Sequence, residues 1–436
     1  MAPQMKRLLR SRLFRNSAAL ISGKFLQKLI AMLVSILSAR CLGPGSYGLI
    51  SYAASFVAFA EPIARMGHAN IMAYECISRP DEEGGILGTS ILMQMASGLL
   101  CMLGILLAAC LLNPGDSHAL RIIALYSMEL LFKSFEILGC WFHAHYISKY
   151  AALAATLACA VVSVYKAILL LSGAPLHCFA LTQALDFLVL GMIYFICYRK
   201  KGGAPLRFSK AHCARLWRGG RGFILSSLMI VVYQQTDKVM LKAMVSESAV
   251  AYYSVAASLV AMCGFALTCI IPAATPVIIE HSKADKRAFE DSLTGLLSLI
   301  GYACFFTAIL LSLLAGPIVR LIYDEAYLDA IPALRILAWG SAFSYWGAAK
   351  NIWLVVEGKQ RYAKWLSLTG AAVNILLNLL LISVWGLAGA AVATVLTEFT
   401  VNFLASLALP AVRRSSLLVL RALRPASLRL IRTLFL

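Results

Sequence analysis

The sequence predicts an all-α polytopic membrane protein of about twelve transmembrane helices, arranged as two six-helix lobes that repeat in parallel. Three observations carry that prediction. The 436 residues are 61% hydrophobic and only 14% charged, with a mean hydropathy of +0.81, outside the range of soluble domains. Apolar runs of about 20 residues, the length that crosses a bilayer, recur from one end to the other. Lysine and arginine collect in alternate connections, the asymmetry that sets orientation in a membrane.

The spans are expected near 18–39, 49–67, 87–112, 122–143, 151–171, 179–198, 221–244, 250–276, 294–316, 333–356, 365–384 and 388–410. The first is too long for a cleaved signal peptide, carries Lys24 and Lys28, and has no small-residue cleavage site before Arg40-Cys41-Leu42-Gly43. It is therefore expected to stay in the mature protein. The basic, glycine-containing stretch 199–220 is the longest connection and divides an N-terminal lobe (1–198) from a C-terminal lobe (221–410) and a basic tail (411–436).

Basic residues fill the N-terminal tail (Lys6, Arg7, Arg10, Arg12, Arg15), the 199–220 connection and the C-terminal tail, whereas Arg40, Arg121 and Arg320 stand alone on the opposite side. Both termini are therefore expected in the cytoplasm. The net charge of +19 is then a topology signal and not a nucleic-acid footprint, with anionic lipid headgroups as its secondary partner. The 12 cysteines are scattered with no C-x-x-C pair, which argues against a disulfide framework or a structural zinc site. His143 and His145 form an H-x-H without a nearby carboxylate, so no metal is expected.

A repeat supports the division into lobes. Tyr47-Gly48-Leu49-Ile50-Ser51-Tyr52-Ala53-Ala54-Ser55 overlays Val250-Ala251-Tyr252-Tyr253-Ser254-Val255-Ala256-Ala257-Ser258 at a constant offset of 203 residues. Each segment begins the second span of its half in the same orientation. Parallel repeats of this kind occur in transporters.

Ionisable residues inside spans are costly and normally face a protein interior or a watery cavity. Lys24, Gln27 and Lys28 share one helix face of the first span. Glu61 and Arg65 are four apart in the second, beside Pro62, and either neutralise one another or line a cavity. The fourth carries Glu129, Lys133 and Glu136 in one stripe with Tyr126, open to reading as a structural network or a coupling-ion site. Gln234, Lys238 and Lys242 form a stripe in the seventh, with Asp237 adjoining. Lysines and amides at these places suit an anionic substrate; Glu61, Glu129 and Asp237 are the candidates for binding a coupling ion. Lys166, Asp186, Arg335, Lys350 and Glu398 are more isolated, and Glu398 lies deep enough to require a partner.

No catalytic constellation accompanies them. The chain lacks G-x-x-x-x-G-K-[ST], H-E-x-x-H and G-x-S-x-G. No cofactor is expected. A proton or sodium gradient, or passive exchange, is left as the means of transport.

Two further segments bear a family likeness. Ala39-Arg40-Cys41-Leu42-Gly43-Pro44-Gly45-Ser46-Tyr47-Gly48 resembles the AR-x-LG-P-x-x-YG turn after the first helix of the Wzx-type polysaccharide flippases, members of the multidrug/oligosaccharidyl-lipid/polysaccharide exporter superfamily. Asn374 and Asn378, followed by Trp385-Gly386-Leu387-Ala388-Gly389-Ala390-Ala391-Val392-Ala393-Thr394, are similar to that family's N-x-x-x-N and YG-x-x-GAA-x-AT, with Trp385 in place of the tyrosine.

The resemblance implies two six-helix lobes around a central cavity. It also implies movement of an undecaprenyl-pyrophosphate-linked sugar repeat from the cytoplasmic to the outer leaflet of the bacterial inner membrane, for surface polysaccharides such as O-antigen, with polymerase machinery as a partner. Lys24, Gln27, Lys28, Arg65, Lys133, Gln234, Lys238 and Lys242 would then hold the headgroup. Arginine is scarce in the spans, which departs from bidentate phosphate recognition. Two other functions fit less well. A cation-coupled multidrug exporter would favour acidic cavity residues. An integral-membrane polymerase or glycosyltransferase would need a larger outer segment than 317–332, with its Asp324, Glu325 and Asp329.

Overall fold

The structure is a computed structural model that describes residues 12–434, apart from the side chains of residues 12–22, Lys24, Asn70, Ser226, Ala284 and Leu434. Its regular structure is entirely helical among the described residues. Two compact units divide the chain, one ending at Leu228 and the other starting at Met229.

The first unit contains α1 (Arg12–Ala64), α2 (Met72–Ser78), α3 (Glu83–Leu112), α4 (Ser117–Ser127), α5 (Leu138–Ala144), α6 (Ser148–Leu171) and α7 (Leu176–Lys200). Helix α1 is two arms joined at Gly43, whose φ of 71° and ψ of 169° leave the helical region. Pro44 follows, fixing φ where the second arm starts and lacking an N–H that would go unpaired there. Asp116 caps α4, accepting a hydrogen bond from the Ala119 amide at 2.9 Å. A single turn, Glu129–Phe132, and a 3-10 segment, Lys133–Ile137, join α4 to α5 as one irregular rod.

Why these helices lie in a membrane is visible on their outer faces. On α3, Leu99, Leu103, Leu107 and Leu111 recur every fourth residue and are 49–74% exposed. An exposed apolar stripe of that length has no place in water but matches lipid. The opposite faces supply the core, where Ile86, Leu87, Leu138, Trp141, Phe142 and Tyr198 pack together.

The second unit takes the part of α8 (Lys210–Met244) beyond residue 228, then α9 (Glu247–Cys263), α10 (Phe265–Ala284), α11 (Lys286–Tyr323), α12 (Ala330–Val356), α13 (Arg361–Phe399) and α14 (Arg413–Ala422). Helix α13 bends at Gly386, with φ 54° and ψ −126°, and its second arm passes through a π-helical turn at Thr400–Leu404. Phe289, Leu293, Leu296, Trp346 and Trp353 form this unit's core.

Counting the arms of α1 and α13 separately, and taking α4–α5 and α9–α10 each as one rod, gives six rods per unit among the described residues. Seven helical segments are long and apolar enough to cross a membrane by length and composition, and two of these, Phe25–Ala64 and Arg361–Ala408, are the bent helices. The rods outside that set include α4–α5 and α8, which carry the charged stripes.

The 199–220 connection packs on the first unit. Tyr198 donates to the Ala204 carbonyl at 2.6 Å, the Arg207 amide to the Gly84 carbonyl at 3.1 Å, and Arg215 pairs with Glu82 at 3.1 Å. Residues from Lys210 onward are already helical. The C-terminal segment is likewise held down: Arg414 makes a bidentate pair with Glu290 at 2.9 and 2.5 Å, and Arg421 meets Asp291 at 2.7 Å. Its own Val412, Leu418, Val419 and Ala422 are buried in the core of this unit.

Nothing lies near the place a Gly386 side chain would occupy, so Gly386→Ala isolates the backbone term. It should destabilise the protein by about 1–3 kcal/mol, the cost of holding a residue with a Cβ in a positive-φ region that favours glycine. A lowered melting temperature in detergent, without loss of helicity by circular dichroism, is the expected result.

Candidate functional site

The second unit holds one carboxylate unlike any other in the chain. Asp237 on α8 is 1% exposed and gathers four donors from two other helices. Asn374 and Asn378, one turn apart on the first arm of α13, bring their Nδ2 atoms to 3.1 and 2.5 Å from Asp237 Oδ1. The Tyr253 hydroxyl of α9 donates to Oδ2 at 2.5 Å, and Thr394 Oγ1, on the second arm of α13, lies 2.7 Å from the same oxygen. The bend at Gly386 makes this possible, because it turns the second arm back so that Asn374 and Thr397 approach at 3.5 Å.

No lysine or arginine of this unit comes within 4 Å of Asp237 among the described contacts. Its hydrogen-bond partners among the described residues are all neutral. Asn378 Oδ1 is buried and has no partner, a loss of about 1–3 kcal/mol unless something donates to it or ligates it. The asparagines turn their amide nitrogens to Asp237, and Asn374 Oδ1 already accepts from Asn378 Nδ2 at 3.0 Å, so the hard oxygens at hand for a cation are the carboxylate, the two hydroxyls and Asn378 Oδ1. With a single carboxylate the set fits a monovalent ion or a proton better than a divalent one.

Elsewhere in the same unit, Glu398 accepts from Asn402 Nδ2 at 2.6 Å. Lys350, 3% exposed, donates to the Asn402 carbonyl at 2.9 Å and to Ser406 Oγ at 2.6 Å. The π-helical turn exposes that carbonyl, and π-bulges are frequent at functional positions. Asn402 is thus the partner that Glu398 required, and it links Glu398 to Lys350.

The first unit treats its charges differently. Lys133 lies 3.0 Å from both Glu129 and Glu61, Glu61 is 2.9 Å from Arg65, and Arg65 is 3.2 Å from Glu136. The result is one line of alternating charge, Glu129–Lys133–Glu61–Arg65–Glu136, that ties the second arm of α1 to the α4–α5 rod. Lys133 also sits over the Phe187 ring at 4.7 Å.

The remaining candidates are dispersed. Gln27 donates to Thr156 Oγ1 at 3.0 Å, fastening α1 to α6. Lys28 and Gln234 are exposed, and Lys238 is half-buried beside Asp237. Lys242 pairs with Glu247 at 3.2 Å. The Lys24 side chain lies outside the described residues. Arg335 donates to the Ser312 carbonyl at 3.1 Å. Lys166 donates to Gln183 Oε1 at 3.1 Å on the wall of a cavity of about 380 Å³ within the first unit, which Asp186 also lines.

Sequence reasoning singled out Asp237 but not the four residues around it. The signal was present: two asparagines at i and i+4 in an apolar run are as anomalous as a charge.

The fold is similar to that of solved transporters of the MOP superfamily. An inward-facing multidrug resistance MATE transporter matches at a TM-score of 0.71 and 16% identity, over 90% of this chain and 95% of that one. The lipid II flippase MurJ in its inward closed conformation matches at 0.71 and 14% identity, over 92% and 90%. A MOP superfamily transporter from Pyrococcus furiosus matches at 0.62 and 15% identity, over 97% and 98%.

The chain belongs to the polysaccharide biosynthesis protein family, whose profile matches residues 13–282. An uncharacterised membrane protein of Methanocaldococcus jannaschii is 32% identical over 92 residues, which is 21% of this chain and spans only 18% of that protein's length. The protein is a multi-pass membrane protein.

Lys133→Met removes the cation shared by Glu61 and Glu129. The loss should be about 3–5 kcal/mol, as for other buried pairs broken on one side. Thermal unfolding in detergent measures it, and Glu129→Gln in the same chain should recover part of the loss.

Proposed function

We propose that this protein is a lipid-linked oligosaccharide flippase. It moves undecaprenyl-pyrophosphate-linked repeat units from the cytoplasmic to the outer leaflet by alternating access, coupled to a proton or sodium ion bound at Asp237. The observation that carries the coupling is Asp237 itself, a buried carboxylate surrounded by neutral donors and an orphaned amide oxygen. Such a group in an apolar bundle is stabilised by taking up a cation, and it releases that cation when its donors move apart.

Membership of the polysaccharide biosynthesis protein family and the MurJ-like fold support the substrate class. The cations proposed to attract the pyrophosphate are Lys24 and Lys28 in the first unit, in a stripe with Gln27, and, separately, Lys238 in the second, in a stripe with Gln234 and Lys242. Lysine supplies a strong, non-directional grip on phosphate. Arg65 and Lys133 already lie between carboxylates, which weakens their attraction for a further anion. Transport requires no cofactor and no catalytic residue, and the released repeat would pass to polymerase machinery on the outer side. The lysines and arginines of the 199–220 connection and of both tails support a cytoplasmic membrane location with both termini inside.

The MATE match, equal in TM-score to that of MurJ, favours cation-coupled multidrug export as a second reading. It predicts resistance to organic cations on overexpression.

In a strain lacking the gene, Asp237→Asn, Lys28→Ala and Lys238→Ala should each lower surface polysaccharide at least tenfold. Lipid-linked repeat should accumulate on the cytoplasmic side while membrane levels of the protein stay normal. Full surface polysaccharide in all three strains would sink the assignment. Uptake of labelled substrate into proteoliposomes under a sodium or a pH gradient should depend on one of the two, and Asp237→Asn should abolish that dependence.

A further inference from the structure

The cavity in the first unit has a composition that neither the charged line nor the Asp237 cluster shares. It encloses about 380 Å³ between α1, α4, α6 and α7, within the roughly 300–1,000 Å³ of small-molecule sites. Its ionised groups are one carboxylate, Asp186, and one ammonium, Lys166, so its formal charge is zero. A pyrophosphate would find no net attraction there, and an organic cation would meet a carboxylate already balanced by a lysine.

The rest of the polar lining is neutral and rich in hydroxyls. Ser35 Oγ and Tyr47 Oη share a hydrogen bond at 2.8 Å, Gln183 accepts from Lys166 at 3.1 Å, and Tyr126 closes one wall. Asp186 has no hydrogen bond or ion pair of its own within 4 Å among the described contacts, and Gln183 and Asp186 stand three residues apart on one face of α7. A carboxylate with two free acceptor oxygens beside an amide, with an ammonium opposite, matches the alternating donors and acceptors of a neutral polyol. The rings of Tyr47, Tyr126 and Phe179 provide apolar surface for the C–H face of a pyranose.

We infer that this cavity binds a sugar ring of the transported lipid-linked oligosaccharide, an inference that rests on the flippase reading and adds a saccharide subsite to it. Asp186, Gln183 and Lys166 are the residues that discriminate between sugars, because a site built to hydrogen-bond a hydroxyl rejects ligands lacking it.

Cys159 lines the same cavity and reports on its occupancy. Full-length protein in proteoliposomes is treated with a small maleimide, and modification of the Cys159 peptide is followed by mass spectrometry. Short-chain prenyl pyrophosphates are added bare or bearing N-acetylglucosamine, N-acetylgalactosamine, glucose or galactose. At least one sugar-bearing compound should slow modification threefold or more relative to the bare compound. The double variant Gln183→Leu/Asp186→Asn should lose that protection while the melting temperature stays within a few degrees. Equal protection by the bare compound, or none by any sugar-bearing one, overturns the subsite even if the strain assays above show flipping. Sugar-specific protection together with full surface polysaccharide in the strain that lacks the gene altogether upholds the subsite and overturns the flippase.

Discussion

A charge inside the apolar thickness of a bilayer has to be matched within a few ångströms, and this fold is organised around the two ways in which it does so. In the first unit the match is cation against carboxylate, repeated along a line of five residues from Glu129 to Glu136. In the second, Asp237 is matched by dipoles: two amides and two hydroxyls. The difference has a physical consequence. Direct ion pairs in a low-dielectric setting are strong and hold helices in one arrangement, whereas a carboxylate solvated by neutral donors keeps room for a cation.

Local irregularities in the helices serve these matches. The 3-10 segment Lys133–Ile137 sets Lys133 and Glu136 on their partners, and the π-helical turn after α13 offers the Asn402 carbonyl to Lys350. Each departs from ideal hydrogen bonding where a buried ionisable group needs a contact.

Much of this was legible in the chain. Apolar runs, the distribution of Lys and Arg, and the turn at Gly43-Pro44 announced a polytopic helical protein with an early bend. The stripes containing Glu61, Arg65, Glu129, Lys133 and Asp237 were visible as charges at helical spacing. Their partners across helices were not, because spacing along one helix says nothing about which face of another helix it meets. The pairing of Lys133 with Glu61 and of Arg65 with Glu136 was hidden for that reason, and Asn374, Asn378 and Thr394 looked only like family motifs. The ordered C-terminal segment was also hidden, since its arginines read as orientation signals and not as partners of Glu290 and Asp291.

The bend at Gly386 makes α13 a brace as well as a wall. Asn374 and Asn378 lie before it and Thr394 after it, all on one carboxylate, so Asp237 ties the two arms of the same helix together across their own corner. Anything that neutralises that carboxylate therefore changes the tension on a joint.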